Sequence, residues 1–171
     1  MENLHNIQVS TLGDVRSSIP RIYAFFDGIQ EYHQSIMIEV VGNIANVATS
    51  ILIDSGVSHS YIAPNIVYRC YMKKSKLELT SLVQTATGTK RKVIKVVKKC
   101  ALDINGVNTF VDMNIIPLGS YDMLIGLDSL DSHHAILDYH NKTYPCLYEE
   151  GNQVTIRGIM RPIYMRKVKP L

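Results

Sequence analysis

The triplet Asp54-Ser55-Gly56 is the part of this sequence whose residue types are best suited to chemistry. Asp54 follows the apolar run Ile51-Leu52-Ile53, so its carboxyl group stands at the end of a predicted buried strand, where ionisation is sensitive to neighbouring groups. Gly56 permits a sharp turn, and the short hydroxyl of Ser55 can both donate and accept hydrogen bonds. The triplet therefore predicts a carboxylate held on a tight loop.

A pair of such carboxylates could catalyse a reaction. Two carboxyl groups about 3 Å apart share one proton, because both cannot be charged at once. One can then take a proton from water while the other gives a proton to a carbonyl oxygen. The chain has no internal repeat and no second Asp-Ser-Gly loop, since Asp128-Ser129 and Asp131-Ser132 lack the glycine and Asp27-Gly28 lacks the hydroxyl residue. A pair therefore requires two copies of the chain.

The triplet alone also fits an ordinary β-turn, in which Asp and Gly are favoured for backbone reasons. Its context favours chemistry. An apolar strand precedes it, and a second apolar-apolar-Gly unit, Leu124-Ile125-Gly126, follows about 70 residues later. The two features together are more specific than the triplet.

These motifs resemble a known family. Residues 52–62, which read Leu-Ile-Asp-Ser-Gly and then His-Ser-Tyr-Ile, are similar to the protease of gypsy-type long-terminal-repeat retrotransposons, particularly those of plants. Residues 121–128 and 135–138 resemble the second signature of that family, in which an apolar-apolar-Gly strand crosses behind the catalytic loop and a short helix follows. The resemblance covers residues 35–148. It implies an all-β fold, a closed retropepsin-like acid-protease β-barrel protomer with a flap hairpin and one or two short helices.

The resemblance also implies an activity. The chain would be an aspartic endopeptidase that acts on extended polypeptide as a homodimer, processes a Gag-Pol polyprotein, and needs no cofactor or metal. Asp54 would be catalytic, Ser55 would brace the two loops of the dimer, and Gly56 would permit their turn. The support behind the loop would come from Leu124, Ile125 and Gly126.

A flap is expected between the two signatures, at residues 83–91. Ala86, Thr87 and Gly88 would form its mobile tip, and backbone groups there could hydrogen-bond a substrate as an added strand. A plain surface hairpin remains the alternative interpretation of this segment.

Two residues depart from the family pattern. Val57 stands where a small Ala or Ser usually follows the loop glycine, and overpacking typically costs ~1–3 kcal/mol unless neighbours adjust. Ser129 replaces a tryptophan common in the relatives, and this chain has no tryptophan. Both departures favour an alternative function, that of a catalytically inactive dimerisation or peptide-binding module left by a degenerate transposon.

The surrounding sequence predicts the elements that would position these residues. Short β-branched runs alternate with turn signals from residue 35 onward, which is typical of antiparallel strands. Predicted strands cover residues 35–41, 44–53, 81–86, 92–97, 101–104, 109–116 and 153–159. Turns are predicted at Gly42-Asn43, Thr87-Gly88 and Asn105-Gly106, and short helices at residues 65–74 and 127–134.

The organisation is that of one domain with ragged ends. Residues 1–34 are expected to be a lead-in, residues 35–150 the protease-like domain, and residues 151–171 a final strand with a basic linker tail. The absence of a zinc knuckle and of polymerase segments favours a chain cut from a longer polyprotein.

Composition excludes several classes of protein. A hydrophobic share of 46% predicts a packed core, and a net charge of +3 is too small and dispersed to indicate nucleic-acid binding. Apolar runs fall short of the ~20 residues of a membrane span, and the start lacks a secretory signal, so the cytoplasm, or a transposon particle within it, is expected. The spacing of Cys70, Cys100 and Cys146 fits neither a zinc site nor a disulfide framework.

Overall fold

A computed structural model describes residues 21–22, 37–85, 88–148 and 151–160. Most of the predicted lead-in, the tail from residue 161, and the predicted flap residues Ala86 and Thr87 lie outside the described residues. The described residues therefore include nearly all of the predicted protease-like domain.

The described chain is mostly strand. Its ten strands are β1 (Arg21–Ile22), β2 (Ile38–Ile44), β3 (Val47–Ile53), β4 (Tyr61–Ile62), β5 (Ser75–Thr85), β6 (Lys90–Ile104), β7 (Val107–Ile115), β8 (Met123–Ile125), β9 (Thr143–Leu147) and β10 (Gln153–Arg157). Its two helices are α1 (Pro64–Arg69) and α2 (Leu127–Ser132). Within these residues no helix is long and apolar enough to cross a membrane.

Six strands close into a barrel. Neighbours are paired in the order β6-β2-β3-β8-β4-β7, and β7 pairs back onto β6, so the ring has no open edge. Closure satisfies the backbone groups that an edge strand would leave exposed. The expected all-β barrel with short helices is thereby confirmed. Outside the ring, β5 pairs with the first part of β6, and β1 pairs with β5 in parallel.

The turn predicted at Gly42-Asn43 is wrong. Both residues belong to β2, where Gly42 pairs with Thr49, and the turn lies at Ala45 and Asn46, whose φ angles are 47° and 64°. Gly42 serves close packing instead, because a Cβ there would lie 2.6 Å from the Ile51 Cδ1 atom. The glycine allows β2 to cross β6 at the barrel corner.

Other elements agree in type but differ in extent. The helix predicted at residues 65–74 is the shorter α1, and the helix predicted at residues 127–134 is α2. The two strands predicted at residues 92–97 and 101–104 are one long strand, β6. The turn at Asn105-Gly106 is confirmed, with both φ angles positive.

The last described strand packs onto the barrel. β10 pairs antiparallel with β9, and its Ile156 is fully buried in the barrel core. After the strand, the Ile159 N–H donates a hydrogen bond to the Glu39 carbonyl at 2.7 Å. The folded structure thus continues past the domain boundary predicted at residue 150 and includes β10.

Buried apolar side chains form two clusters. The larger one, the barrel core, fills the ring and includes Ile38, Ile53, Met113, Ile125 and Leu130. The second, called the flap-side cluster below, comprises Leu52, Val57, Tyr61, Ala63, Val83, Val93, Ile116, Leu118 and Leu124. Because it draws on β3, β4, β5, β6 and β8, the flap-side cluster joins the β5–β6 hairpin to the strands around Asp54.

Candidate active site

Asp54 stands where β3 leaves the barrel. The apolar strand before it is buried to Ile53, and the Asp54 N–H donates a hydrogen bond to the Ile125 carbonyl at 3.0 Å. The side chain is half-buried, and its Oδ1 atom accepts a hydrogen bond from the Gly56 N–H at 2.8 Å. The loop thus fixes one carboxylate oxygen on its own backbone.

The environment of Asp54 favours its protonated form. Burial raises the pKa of the carboxyl group, and the hydrogen bond from the Gly56 N–H opposes that rise. A second carboxylate nearby would raise the proton affinity of the pair further, because two like charges repel at close range. The carboxyl is therefore suited to hold or release a proton.

Leu124 and Ile125, two of the residues predicted to support the loop, belong to β8. β8 lies between β3 and β4, the strands on either side of the loop, with Leu52 opposite Leu124 and Tyr61 also opposite Leu124. Gly126 follows directly. A Cβ at Gly126 would lie 2.3 Å from the His59 carbonyl oxygen, so only glycine fits there without a shift of the backbone.

Ser60 and Asp128 form a pair that was not predicted from the sequence. Ser60 is fully buried, and its Oγ donates to the Asp128 Oδ1 at 2.7 Å while its N–H donates to Oδ2 at 3.1 Å. The same Oγ accepts the Gly126 N–H at 3.1 Å. Asp128 could have been found from its position in the first turn of α2, where a carboxylate is favoured.

Further contacts bind α2 to the Asp54 loop. The Leu127 N–H donates to the Val57 carbonyl at 2.7 Å, and the Asp128 N–H donates to the Ser58 carbonyl at 3.1 Å. The exposed His59 side chain also lies near this helix, with its Nδ1 3.7 Å from the Asp128 carboxylate. Residues 57–60 are consequently fixed by the segment that follows β8.

The Ser55 hydroxyl contacts a tyrosine hydroxyl of the same chain. Its Oγ lies 2.9 Å from the Tyr139 hydroxyl, at the start of the turn that leads to β9. Either hydroxyl can donate, and each oxygen keeps further hydrogen-bonding capacity. The structure therefore links the Asp54 loop to residue 139, a contact for which the sequence carried no signal.

Val57 points into the interior. Its side chain is 1% exposed and packs in the flap-side cluster with Leu52 and Leu124. The volume of Val57, expected to crowd the site, is thus accommodated among apolar neighbours of the same chain.

The predicted flap is the β5–β6 hairpin. Gly88 has a φ of 85°, and its carbonyl accepts a hydrogen bond from the Gln84 Nε2 at 3.3 Å. Val83 and Val93, on the two arms, are buried against the flap-side cluster. Ala86 and Thr87 were predicted to contact substrate and lie outside the described residues. The arms of the hairpin are therefore anchored next to the strands that bear Asp54.

The region around Ser129 contains a histidine and a tyrosine. The rings of His133 and Tyr148 lie 4.8 Å apart, and the Ser129 carbonyl is 2.7 Å from the His133 Nδ1. The His133 Nε2 lies 3.0 Å from the Thr109 hydroxyl. His133 thus has structural partners at both ring nitrogens.

No group of three or more His, Cys, Asp or Glu side chains within the described ranges is arranged to hold a metal ion. The candidate site consists of one carboxylate, a hydroxyl and the backbone that supports them. Proton transfer is the chemistry that a carboxylate and a hydroxyl group can supply.

Comparisons with known proteins agree with this geometry. The sequence model of the family described as retroviral aspartyl protease matches residues 20–152. Among solved structures, the retroviral protease-like domain of Ddi1 from Leishmania major is similar, with a TM-score of 0.55 and 18% identity over 74% of this chain and 95% of that domain. At that identity the likeness shows the fold. No curated protein matches the chain.

Proposed function

The chain belongs to the retroviral aspartyl protease family, and from that premise we propose that it is an aspartic endopeptidase whose active site forms when two copies dimerise. Each copy contributes one Asp54. The proposal follows from the single Asp-Ser-Gly loop of the sequence, since two carboxylates are needed to supply an acid and a base.

The proposed reaction is hydrolysis of a peptide bond. The ionised Asp54 of one protomer accepts a proton from water, whose oxygen attacks the scissile carbonyl carbon. The protonated Asp54 of the partner gives its proton to the carbonyl oxygen. The C–N bond of the resulting tetrahedral intermediate then breaks, and the nitrogen leaves as an amine after taking up a proton.

One observation carries the proposal. The Asp54 carboxyl lies directly after β3 on a loop fixed by the Ile125 carbonyl and the Gly56 N–H, and burial raises its pKa. A carboxylate in an ordinary surface turn would have neither the buried strand behind it nor the raised pKa. This combination supports proton transfer over a purely structural role.

The proposed substrate is an extended polypeptide. A chain lying between the β5–β6 hairpin and Asp54 could add its backbone hydrogen bonds to those of the hairpin. The resemblance to gypsy-type retrotransposon proteases supports the Gag-Pol polyprotein as the physiological substrate. It would place the reaction in the cytoplasm or in transposon particles.

Activity of the full-length chain tests the proposal. Cleavage of a mixed peptide library between pH 4 and 7, blocked by pepstatin and abolished in Asp54→Asn, is the expected result. The mass in solution should be that of a dimer. A chain that stays monomeric at all concentrations, or cleavage that survives Asp54→Asn, contradicts the proposal.

A second candidate, an inactive dimerisation or peptide-binding module, is supported by one contact. The Ser55 hydroxyl, expected to brace two loops, already has Tyr139 as a partner within the protomer. The same assay separates the two functions, because an inactive module would dimerise or bind peptides without cleaving them.

A further inference from the structure

The arms of the β5–β6 hairpin are basic. Of five cations on the arms, Lys90, Arg91 and Lys92 follow the tip directly, while Lys76 and Lys95 lie further along the arms with the acid Glu78. The two ion pairs in the described part of the chain join other residues, His59 with Asp128 and Lys98 with Asp112. Among the described residues none of the five is paired with an acid, and their positive charges attract an anionic ligand.

The strand register places Arg91 on the face of the hairpin that packs in the flap-side cluster. Arg91 pairs directly with Val83, and side chains of directly opposed residues share a face of the hairpin. Val93, two residues further along β6, shares the same face. Val83 is 1% exposed and Val93 is fully buried, both in the flap-side cluster.

The neighbouring lysines lie on the other face. Lys92 pairs with Leu82, which is 49% exposed, and Lys90 pairs with Gln84. Among the three consecutive bases, Arg91 thus extends from the side that packs toward Val57 and Leu124, the neighbours of the Asp54 loop. Its guanidinium is exposed and has no carboxylate partner within the described residues.

We propose that Arg91 selects substrates that carry an acidic side chain, Asp or Glu, within a few residues of the scissile bond. The inference rests on the proposed function and adds the class of substrate to it. A guanidinium can form two parallel hydrogen bonds with a carboxylate, which gives geometric selectivity as well as attraction. A peptide lying between the hairpin and Asp54 would have its side chains within reach of this guanidinium.

Matched peptides provide the test. Ten-residue peptides with blocked ends, cleaved by the full-length protein, are prepared with Glu or Gln fixed at each of the three positions on either side of the cleavage site. Blocked ends separate a side-chain carboxylate from a terminal one. At one position at least, kcat/KM should be about 5–10-fold higher for Glu than for Gln. This ratio should fall in high salt.

Two variants assign the effect to the residue. Arg91→Gln should reduce the Glu to Gln ratio to about one, while Lys92→Gln, which removes the same charge from the opposite face, should leave most of it. Equal losses in both variants, or a ratio near one in the wild type, would overturn the inference.

A binding measurement keeps the inference separate from the proposed function. The same peptides, labelled with fluorescein, are titrated with Asp54→Asn protein and followed by anisotropy. Tighter binding of the Glu peptides that depends on Arg91 supports the inference even if the wild type cleaves nothing, a result that would overturn only the proposed function. Equal affinities for the two peptides would contradict the role of Arg91.

Discussion

At the scale of single residues, burial disfavours the ionised form of Asp54 in the folded chain. The hydrogen bond from the Gly56 N–H partly offsets this effect. The folded protomer therefore binds this proton more tightly than the unfolded chain, whose carboxyl has an ordinary pKa of 3.8. Stability falls as pH rises through the window between 3.8 and the raised folded value.

Asp54→Asn should consequently stabilise the protomer at neutral pH. Asparagine keeps the acceptor oxygen for the Gly56 N–H and has no charge to bury. We expect a higher Tm than the wild type at pH 7, with a difference that shrinks to nothing once pH falls below about 4. Thermal unfolding by circular dichroism, at concentrations where the chain is monomeric, measures both. A difference that grows on acidification would contradict the assignment of the raised pKa.

The Ser55 and Tyr139 hydroxyls should act as a coupled pair. Removing either one with Ser55→Ala or Tyr139→Phe breaks the same hydrogen bond, so the double variant should lose less stability than the two single losses added together. The coupling should be about 0.5–1 kcal/mol in the free energy of unfolding, the usual contribution of one hydrogen bond. Urea denaturation of the four proteins gives this value.

The matched control is Tyr68→Phe, which removes a hydroxyl from an exposed tyrosine on α1. It should be neutral and additive with Ser55→Ala. Strict additivity of Tyr139→Phe with Ser55→Ala would show that the 2.9 Å contact contributes nothing to stability.

Residue types predicted the loop and the glycine strand behind it, but not the side-chain hydrogen bonds that hold them. Asp54, Gly56 and Gly126 could be found because a carboxylate after an apolar strand, and a glycine after another, are local patterns. The Ser60–Asp128 pair spans 68 positions, and Ser55–Tyr139 spans 84. Such contacts depend on which strands become neighbours, which residue spacing alone does not specify.

At the scale of elements, the loop after β3 is clamped by the segment that connects β8 to α2. The backbone of residues 57–59 passes directly over Gly126, and α2 begins with N–H groups that donate to that backbone. The position of Asp54 relative to the barrel is therefore set by how closely β8 and this loop can approach.

Gly126→Ala should disrupt this approach. Its Cβ would meet backbone atoms of His59 and Val57 at 2.3–2.7 Å, and backbone cannot rotate aside as a side chain can. We expect a loss of about 3 kcal/mol or more in the free energy of unfolding, or failure to fold. Urea denaturation measures it.

Gly106→Ala is the comparison. Its Cβ would have no atom within 4 Å, although the φ of 79° leaves some strain. The expected loss is about 1 kcal/mol. Equal losses at the two positions would mean that the close approach at Gly126 is not what holds the loop.

The glycines also show where element prediction succeeds. Asn105-Gly106 is a turn, as the pair predicts, because nothing but local conformation requires it. Gly42-Asn43 carries the same turn signal and lies within a strand, because β6 packs against the face of Gly42. A glycine required by a neighbouring strand is indistinguishable in sequence from one required by a turn.

At the scale of the whole molecule, β-branched runs separated by turn signals predicted a chain made mostly of strands, and the resemblance supplied the all-β closed barrel. The pairing of β7 with β6 that closes the ring joins adjacent strands, while the parallel pairing of β3 with β8 joins residues about 70 positions apart. A hairpin pattern in the sequence predicts the first type of pairing. The second type can be predicted only when the order of all strands in the barrel is known.

Each chain has one Asp54, which follows strand β3 of its barrel. Ser55 and Gly56 are exposed next to it, and neither contributes a second carboxylate. Two-fold symmetry would place an identical loop against this one, so that each protomer supplies the acid or base that the other lacks. The central claim is therefore that activity belongs to a pair of Asp54 residues.

Mixing wild type with Asp54→Asn tests this claim most directly. A fixed amount of wild-type protein is assayed with increasing amounts of the variant, after exchange of protomers, at concentrations that keep the chain dimeric. If both Asp54 residues are needed, a threefold excess of variant should reduce cleavage to about one quarter, because most wild-type chains are then in mixed dimers. Cleavage that stays constant as the variant is added would contradict the shared active site.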